Sequence, residues 1–169
     1  MSYKFRFYSF VANLYLSPLQ QGLQTSHVQG EISGGCRNGT MVNPDAYVEW
    51  EGIDKTIIIC AASNHRGVKE CFAQLEVFGK ALHLPHAIFH EDEDSMNGMA
   101  TGCGIIVPEF LYGCRLVTVP LPFEERQTHQ SPVAYQQWEY VRPNGVVDIH
   151  HVESTAGQFL THIKSYRLA

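Results

Sequence analysis

The chain has 169 residues, 44% of them apolar and 17% charged. That is enough for one domain with a real core and too apolar for a disordered chain. Twelve basic and 17 acidic side chains give a formal charge of −5, with Lys and Arg never clustered beyond isolated pairs. This balance argues against a strong sequence-independent nucleic-acid binder, whose affinity comes from counterion release by basic side chains. No apolar run is long enough to span a bilayer, and Met1-Ser2-Tyr3-Lys4-Phe5-Arg6 lacks the apolar core of a signal peptide.

In chain order, Phe5 to Leu16 reads as a strand rich in aromatic and branched residues. Ser17-Pro18 then opens a helix, with Ser17 as N-cap and Pro18 in the first turn, where its missing N–H costs nothing. On that helix Gln20, Gln24 and His27 fall at i, i+4 and i+7 and share one face, with Leu19 and Leu23 on the neighbouring one. Gly30 to Pro44, which includes Ser33-Gly34-Gly35-Cys36-Arg37-Asn38-Gly39, reads as a loop. Tyr47 to Glu51 forms a short strand or helical turn. Thr56 to Ala61 is a continuous apolar, β-branched run suited to a strand buried on both faces. Ser63 or Asn64 caps a helix to about Leu82, whose apolar positions Val68, Cys71, Phe72, Leu75, Phe78 and Leu82 follow helical spacing. Pro85 to Phe89 reads as a strand, Glu91 to Thr101 as an acidic, Gly-containing loop and Cys103 to Val107 as a second buried strand.

The remainder differs in character. Leu116 to Leu121 reads as a strand and Pro120 to Pro132 as a polar loop. Gln137 to Val152 is a hairpin turning at Pro143-Asn144-Gly145, and Thr155 to Tyr166 is an amphipathic helix. The expected fold is therefore α/β: a mixed, mostly parallel sheet flanked by helices over residues 1–110, with an extra C-terminal hairpin and helix over residues 111–169. That tail packs on its own domain or on a second copy, so a homodimer is one possible assembly. Cys36, Cys60, Cys71, Cys103 and Cys114 are odd in number and form no Cys-x-x-Cys pair, which fits reduced thiols in a cytoplasmic protein.

Two segments together resemble the peptidyl-tRNA hydrolases of archaea and eukaryotes. That family has an Asp-Leu-x-Met-like strand end followed by Ser-x-Gly-Lys-x-Ala-Ala-Gln-x-x-His-Ala. Here Asn13-Leu14-Tyr15-Leu16-Ser17 runs without a gap into Pro18-Leu19-Gln20-Gln21-Gly22-Leu23-Gln24-Thr25-Ser26-His27-Val28. The family's Gln and His fall on Gln24 and His27, its lysine on Gln20 and its aspartate on Asn13. Further on, the family's Asp-Ala-Gly-x-Thr loop, Pro-Gly-x-x-Thr and apolar strand are echoed by His90 to Pro108. A second family aspartate maps loosely to Asp92 and the threonine to Thr101. The resemblance covers about residues 5–110 and implies a single α/β domain.

It also implies hydrolysis of the ester of peptidyl-tRNA or a related ester, with tRNA or another RNA or nucleotide ligand as partner and no cofactor. His27 would be general base, Asp92 would orient or share that role, and Gln20, Gln24 and Thr101 would hold water and carbonyl. Gln20 in place of the lysine removes the ammonium that would stabilise an oxyanion. The rival reading is a non-catalytic member of the same fold that binds a nucleotide, RNA or protein. The plainer alternatives are a helix-end role for His27, a solvated helix face for Gln20 and Gln24, and a solvated acidic loop for Glu91 to Asp94, which lacks the spacing of a calcium site. His150 and His151 point to opposite faces of a strand and do not share a metal. Cys36 is a loop thiol with no identifiable base, and Gly102 and Gly104 admit a close backbone contact.

Overall fold

Phe5, Phe7, Ser9 and Val11 alternate with Arg6, Tyr8 and Phe10 along the first strand, so its two faces carry separate cores. In the computed structural model, which describes residues 4–120 and 134–169, that strand, β1, runs Phe5–Val11. It ends earlier than Leu16 because the Ala12 N–H donates to the Thr101 carbonyl and the Tyr15 N–H to that of Ala12, turning the chain. The remaining elements of the first unit are α1 (Pro18–Asn38), α2 (Pro44–Glu49) with a π-helical turn (Trp50–Asp54), β2 (Thr56–Ala61), α3 (His65–Leu82), β3 (His86–His90), α4 (Glu93–Met96) and β4 (Ala100–Pro108).

The four strands form one sheet in the order β2-β1-β4-β3. Only β1 and β2 pair in parallel, and β4 is antiparallel to both neighbours. The sheet is thus mixed rather than mostly parallel. Helical crossovers lead from β1 to β2 and from β2 to β3, whereas the short acidic connection after β3 returns the chain directly as β4. Every residue of β4 is buried.

One face packs Phe5, Phe7 and Ile106 against Val28 and Ile32 of α1 and against Tyr47 and Trp50. The other packs Phe10, Cys103, Ile105 and Val107 against Val68, Cys71, Leu75 and Phe78 of α3. Gly104 leaves room for the Phe7 ring on the first face, where an added Cβ would collide with Phe7 Cε2.

The expected loop over Gly30 to Pro44 is instead the second half of α1. Helical Gly30 and Gly34 each cost roughly 1 kcal/mol relative to Ala, but burial of Val28 and Ile32 on the sheet outweighs that cost, and Gly35 leaves room for Met41. Asn38-Gly39 supplies the stop, with Gly39 left-handed at φ 76° and its N–H on the Gly35 carbonyl. Cys36 accordingly sits on the helix. α3 begins as expected, its first amides at Arg66 and Gly67 donating to the Asn64 side chain.

After α5 (Glu109–Tyr112), strands β5 (Arg115–Pro120), β6 (Ala134–Val141) and β7 (Val147–His151) form a separate antiparallel sheet, followed by α6 (Thr155–Ser165). Most of the expected polar loop over Pro120 to Pro132 lies outside the described residues. α6 buries Phe159, Leu160 and Ile163 in the same core as α3, with the Phe78 and Phe159 rings 5.6 Å apart. Beyond it, Ala61 N–H donates to the Arg167 carbonyl and Ala169 N–H to that of Ile59, so the chain's last residues cover the outer edge of β2. Among the described residues, no helix is long and apolar enough to cross a membrane.

Candidate functional site

The residues singled out by sequence divide into two groups. Gln24, on the inner side of α1, and Thr101, on β4, meet directly: Thr101 Oγ1 donates to Gln24 Oε1 over 2.9 Å. Their meeting depends on a β-bulge. Phe89 pairs with Gly102 but His90 with Ala100, leaving Thr101 as the extra residue. The bulge breaks the alternation that would have sent Thr101 to the α3 face with Cys103, and turns its hydroxyl towards α1.

Two residues complete this cluster that the sequence reading did not single out. The Glu91 carboxylate accepts from Gln24 Nε2 at 2.9 Å and from Tyr15 Oη at 2.8 Å, with Thr101 Oγ1 3.2 Å away, all at Oε1. A carboxylate only accepts, so the Gln24 amide must turn its NH2 to Glu91 and its oxygen to Thr101. Tyr15 is fixed from behind by Gln21 Nε2, which donates to the Tyr15 carbonyl over 3.1 Å. Desolvation, then the hydrogen bond to Glu91, pushes the Tyr15 phenol up to about 12, so it stays a donor at neutral pH. The available sequence signals were the placement of Glu91 directly after β3 and of Tyr15 between two leucines.

Thr101 is 0% exposed and Gln24 4%. Their polar atoms satisfy one another and Glu91, so this pair forms the floor beneath a surface rather than a group that touches a ligand. One helical step away, Ser9 and Thr25 pair hydroxyl to hydroxyl at 2.9 Å, extending the polar seam between α1 and β1.

Gln20, His27 and Asp92 form the second group. All three are exposed, and none hydrogen-bonds to the Glu91 cluster among the described residues. Gln20 folds back on its own N-cap, with Ser17 Oγ 3.1 Å from Gln20 Oε1. His27 lies flat on Phe89, ring centroids 4.5 Å apart at 11°. It is a mid-helix residue, since α1 continues to Asn38, so the helix-end role does not apply. Asp92 is the residue preceding α4, where its carbonyl accepts from Ser95 and Met96.

A third cluster lies on the opposite face. Cys71 Sγ is 3.9 Å from His162 Nε2, joining α3 to α6. The neighbouring Cys103 thiol, and then His162, hold the Cys71 thiol below its usual value, while burial pushes Cys103 up. Both sulfurs are sealed in the core, so the pair braces the C-terminal helix and no substrate reaches it. Cys36, Cys60, Cys71, Cys103 and Cys114 are all free, and among the described residues no group of His, Cys, Asp and Glu could hold a metal ion.

The charge pattern around the Glu91 cluster is one-sided. Residues 7–36 and 81–114, which supply β3, β4 and all of β1 and α1 except their ends at Arg6 and Arg37, contain no Lys or Arg. Asp92, Glu93 and Asp94 are exposed beside the cluster. In comparison with known proteins, no family model and no curated protein matches the chain.

Proposed function

We propose that this chain is a non-catalytic binding protein that uses the surface above the Gln24–Thr101–Glu91 floor to hold a protein partner. The observation that carries this reading is the division of the five candidate residues. Two are buried and mutually satisfied, and three are exposed and do not join them. Hydrolysis of an ester needs a base, a water and an oxyanion donor within hydrogen-bond reach of one carbonyl. Neutral Gln20, and the lack of Lys and Arg in residues 7–36 and 81–114, supply no ammonium for the oxyanion or for tRNA phosphates from these segments, while Asp92 to Asp94 repel the phosphates. A protein partner meets neither obstacle. The free thiols fit a cytoplasmic setting.

The second reading is hydrolysis of peptidyl-tRNA or a related ester, and Glu91 favours it. Its half-buried carboxylate is held by Tyr15 and Gln24, as a base that positions water would be. In that reading Glu91 takes the acidic role that the sequence resemblance assigns to Asp92, and His27 assists from the rim.

The deciding experiment measures peptide release from an N-blocked aminoacyl-tRNA by wild type, Glu91→Gln and His27→Ala. The expected result is no release above buffer for any of the three and no retention of tRNA at moderate salt. Wild-type turnover that falls about a hundredfold or more in Glu91→Gln or His27→Ala would overturn the binding reading and establish the hydrolase.

A further inference from the structure

Four leucines close in sequence to Tyr15 and Gln24 of the Glu91 cluster are exposed among the described residues: Leu14 is 43% exposed, Leu16 83%, Leu19 83% and Leu23 55%. Leu19 and Leu23 lie one turn apart on α1 and share a face. Leu16 stands just before the N-cap, where a staple to the first turns would need an apolar partner four residues into the helix. That position is Gln21, so Leu16 stays in solvent. Leu14 and Leu16 flank Tyr15 and Leu23 precedes Gln24, and both Tyr15 and Gln24 hydrogen-bond Glu91. Through these two bonds the Leu14–Leu16 turn and the first turns of α1 are tied to the acidic turn that continues through Asp92, Glu93 and Asp94.

We infer that these leucines and the acidic turn together form a docking surface for a basic amphipathic helix of a partner protein. This rests on the binding reading and names the partner's chemistry. Leucines at helical spacing receive an apolar helix face, and the carboxylates select cations along its edge. No Lys or Arg within residues 14–24 or 91–94 repels a basic segment, and the exposed carboxylates disfavour an anionic one.

The test titrates the full chain into a fluorescein-labelled Leu/Lys amphipathic peptide of about 18 residues and into its Leu/Glu counterpart, read by anisotropy. The Leu/Lys peptide should bind and the Leu/Glu peptide should not. Leu19→Glu/Leu23→Glu should weaken binding about tenfold or more. Asp92→Asn/Glu93→Gln/Asp94→Asn should weaken it about threefold or more and flatten its salt dependence. Asp45→Asn/Glu70→Gln/Glu153→Gln, which removes the same charge elsewhere, should leave binding unchanged. Circular dichroism confirms folding, and Leu19→Gln/Leu23→Gln replaces the Glu pair if that pair fails to fold. Equal binding of both peptides, equal loss in the two charge sets, or no effect of the leucine substitutions would overturn the inference. So would a concentration-dependent dimer that the leucine substitutions abolish, which would assign the surface to a second copy. Turnover of the blocked aminoacyl-tRNA that Glu91→Gln removes would instead overturn the binding reading itself, and the peptide results would be judged separately.

Discussion

The two long helices flanking the four-stranded sheet solve the same packing problem differently. α3 is covered twice. Its inner side meets the sheet through Val68, Cys71 and Leu75, and Phe78 and Cys71 meet α6 through Phe159 and His162. α1 is covered once. It sets Val28 and Ile32 on the sheet beside a polar seam of Gln24 and Thr25, while Leu19 and Leu23 face solvent. Among the described residues, the C-terminal helix thus roofs one long helix, while the other keeps exposed leucines on its outer side. An amphipathic helix needs only one buried stripe, so uncovered leucines beside a satisfied polar floor are what a surface awaiting a partner would present.

The sharpest way to break this contrast is to remove the roof. Phe159 is 0% exposed and packs on Phe78. Phe159→Ala should cost about 3–5 kcal/mol, the range for a large aromatic truncated in a core. Urea unfolding should show it as a lower midpoint, and dye binding should rise as α3 acquires an exposed outer face like that of α1. A loss under about 1 kcal/mol would mean that α6 contributes little to the shared core.

A smaller effect tests the floor under the open helix. Thr101→Val keeps the shape but deletes the hydroxyl that donates to Gln24 Oε1, leaving that buried oxygen without its donor. The expected cost is about 1–3 kcal/mol by urea denaturation, with Thr101→Ser recovering much of it. If the peptide-binding surface is the one above this floor, Thr101→Val should also weaken Leu/Lys peptide binding, without any change in the exposed leucines.

These two sites also mark how far the sequence could be read. The contacts of α3 follow helical periodicity, so Val68, Cys71, Leu75 and Phe78 were legible as a buried face, as were the apolar runs of β2 and β4. The start of α1 was legible from Ser17-Pro18, but its length was not. Gly30, Gly34 and Gly35 read as loop by propensity, and only burial of Ile32 against the sheet reverses that. Gln24 and Thr101 stood out as candidates, yet their contact depends on the one-residue bulge at Thr101, which no local pattern encodes. Glu91 was read with the acidic run as solvated loop, because sequence does not distinguish the first carboxylate, folded inward onto Tyr15 and Gln24, from the three that follow it outward.

The smallest expected effect concerns that inward carboxylate and sharpens the role of Tyr15 in fastening the Leu14–Leu16 turn to the acidic one. The Tyr15 phenol is pushed up to about 12 in the fold, by desolvation and by Glu91, from an ordinary value of 10. The neutral form is therefore favoured in the folded state. Its contribution to stability is full below about pH 10 and is lost as pH rises towards 12. Because Tyr15 is partly solvated, that contribution is on the order of 1 kcal/mol rather than the full value of the shift. Tyr15→Phe should lower the urea midpoint at pH 8 by a corresponding amount, and the gap from wild type should close as pH is raised through about 11. Comparing the two proteins at each pH subtracts the other tyrosines, Tyr8, Tyr112, Tyr140 and Tyr166, whose phenols are also raised. A gap that stays constant with pH would mean that the Tyr15–Glu91 bond contributes nothing to stability, and that the leucine turn is held by its other bonds, from Gln21 to the Tyr15 carbonyl and from the Asn13 and Tyr15 amides.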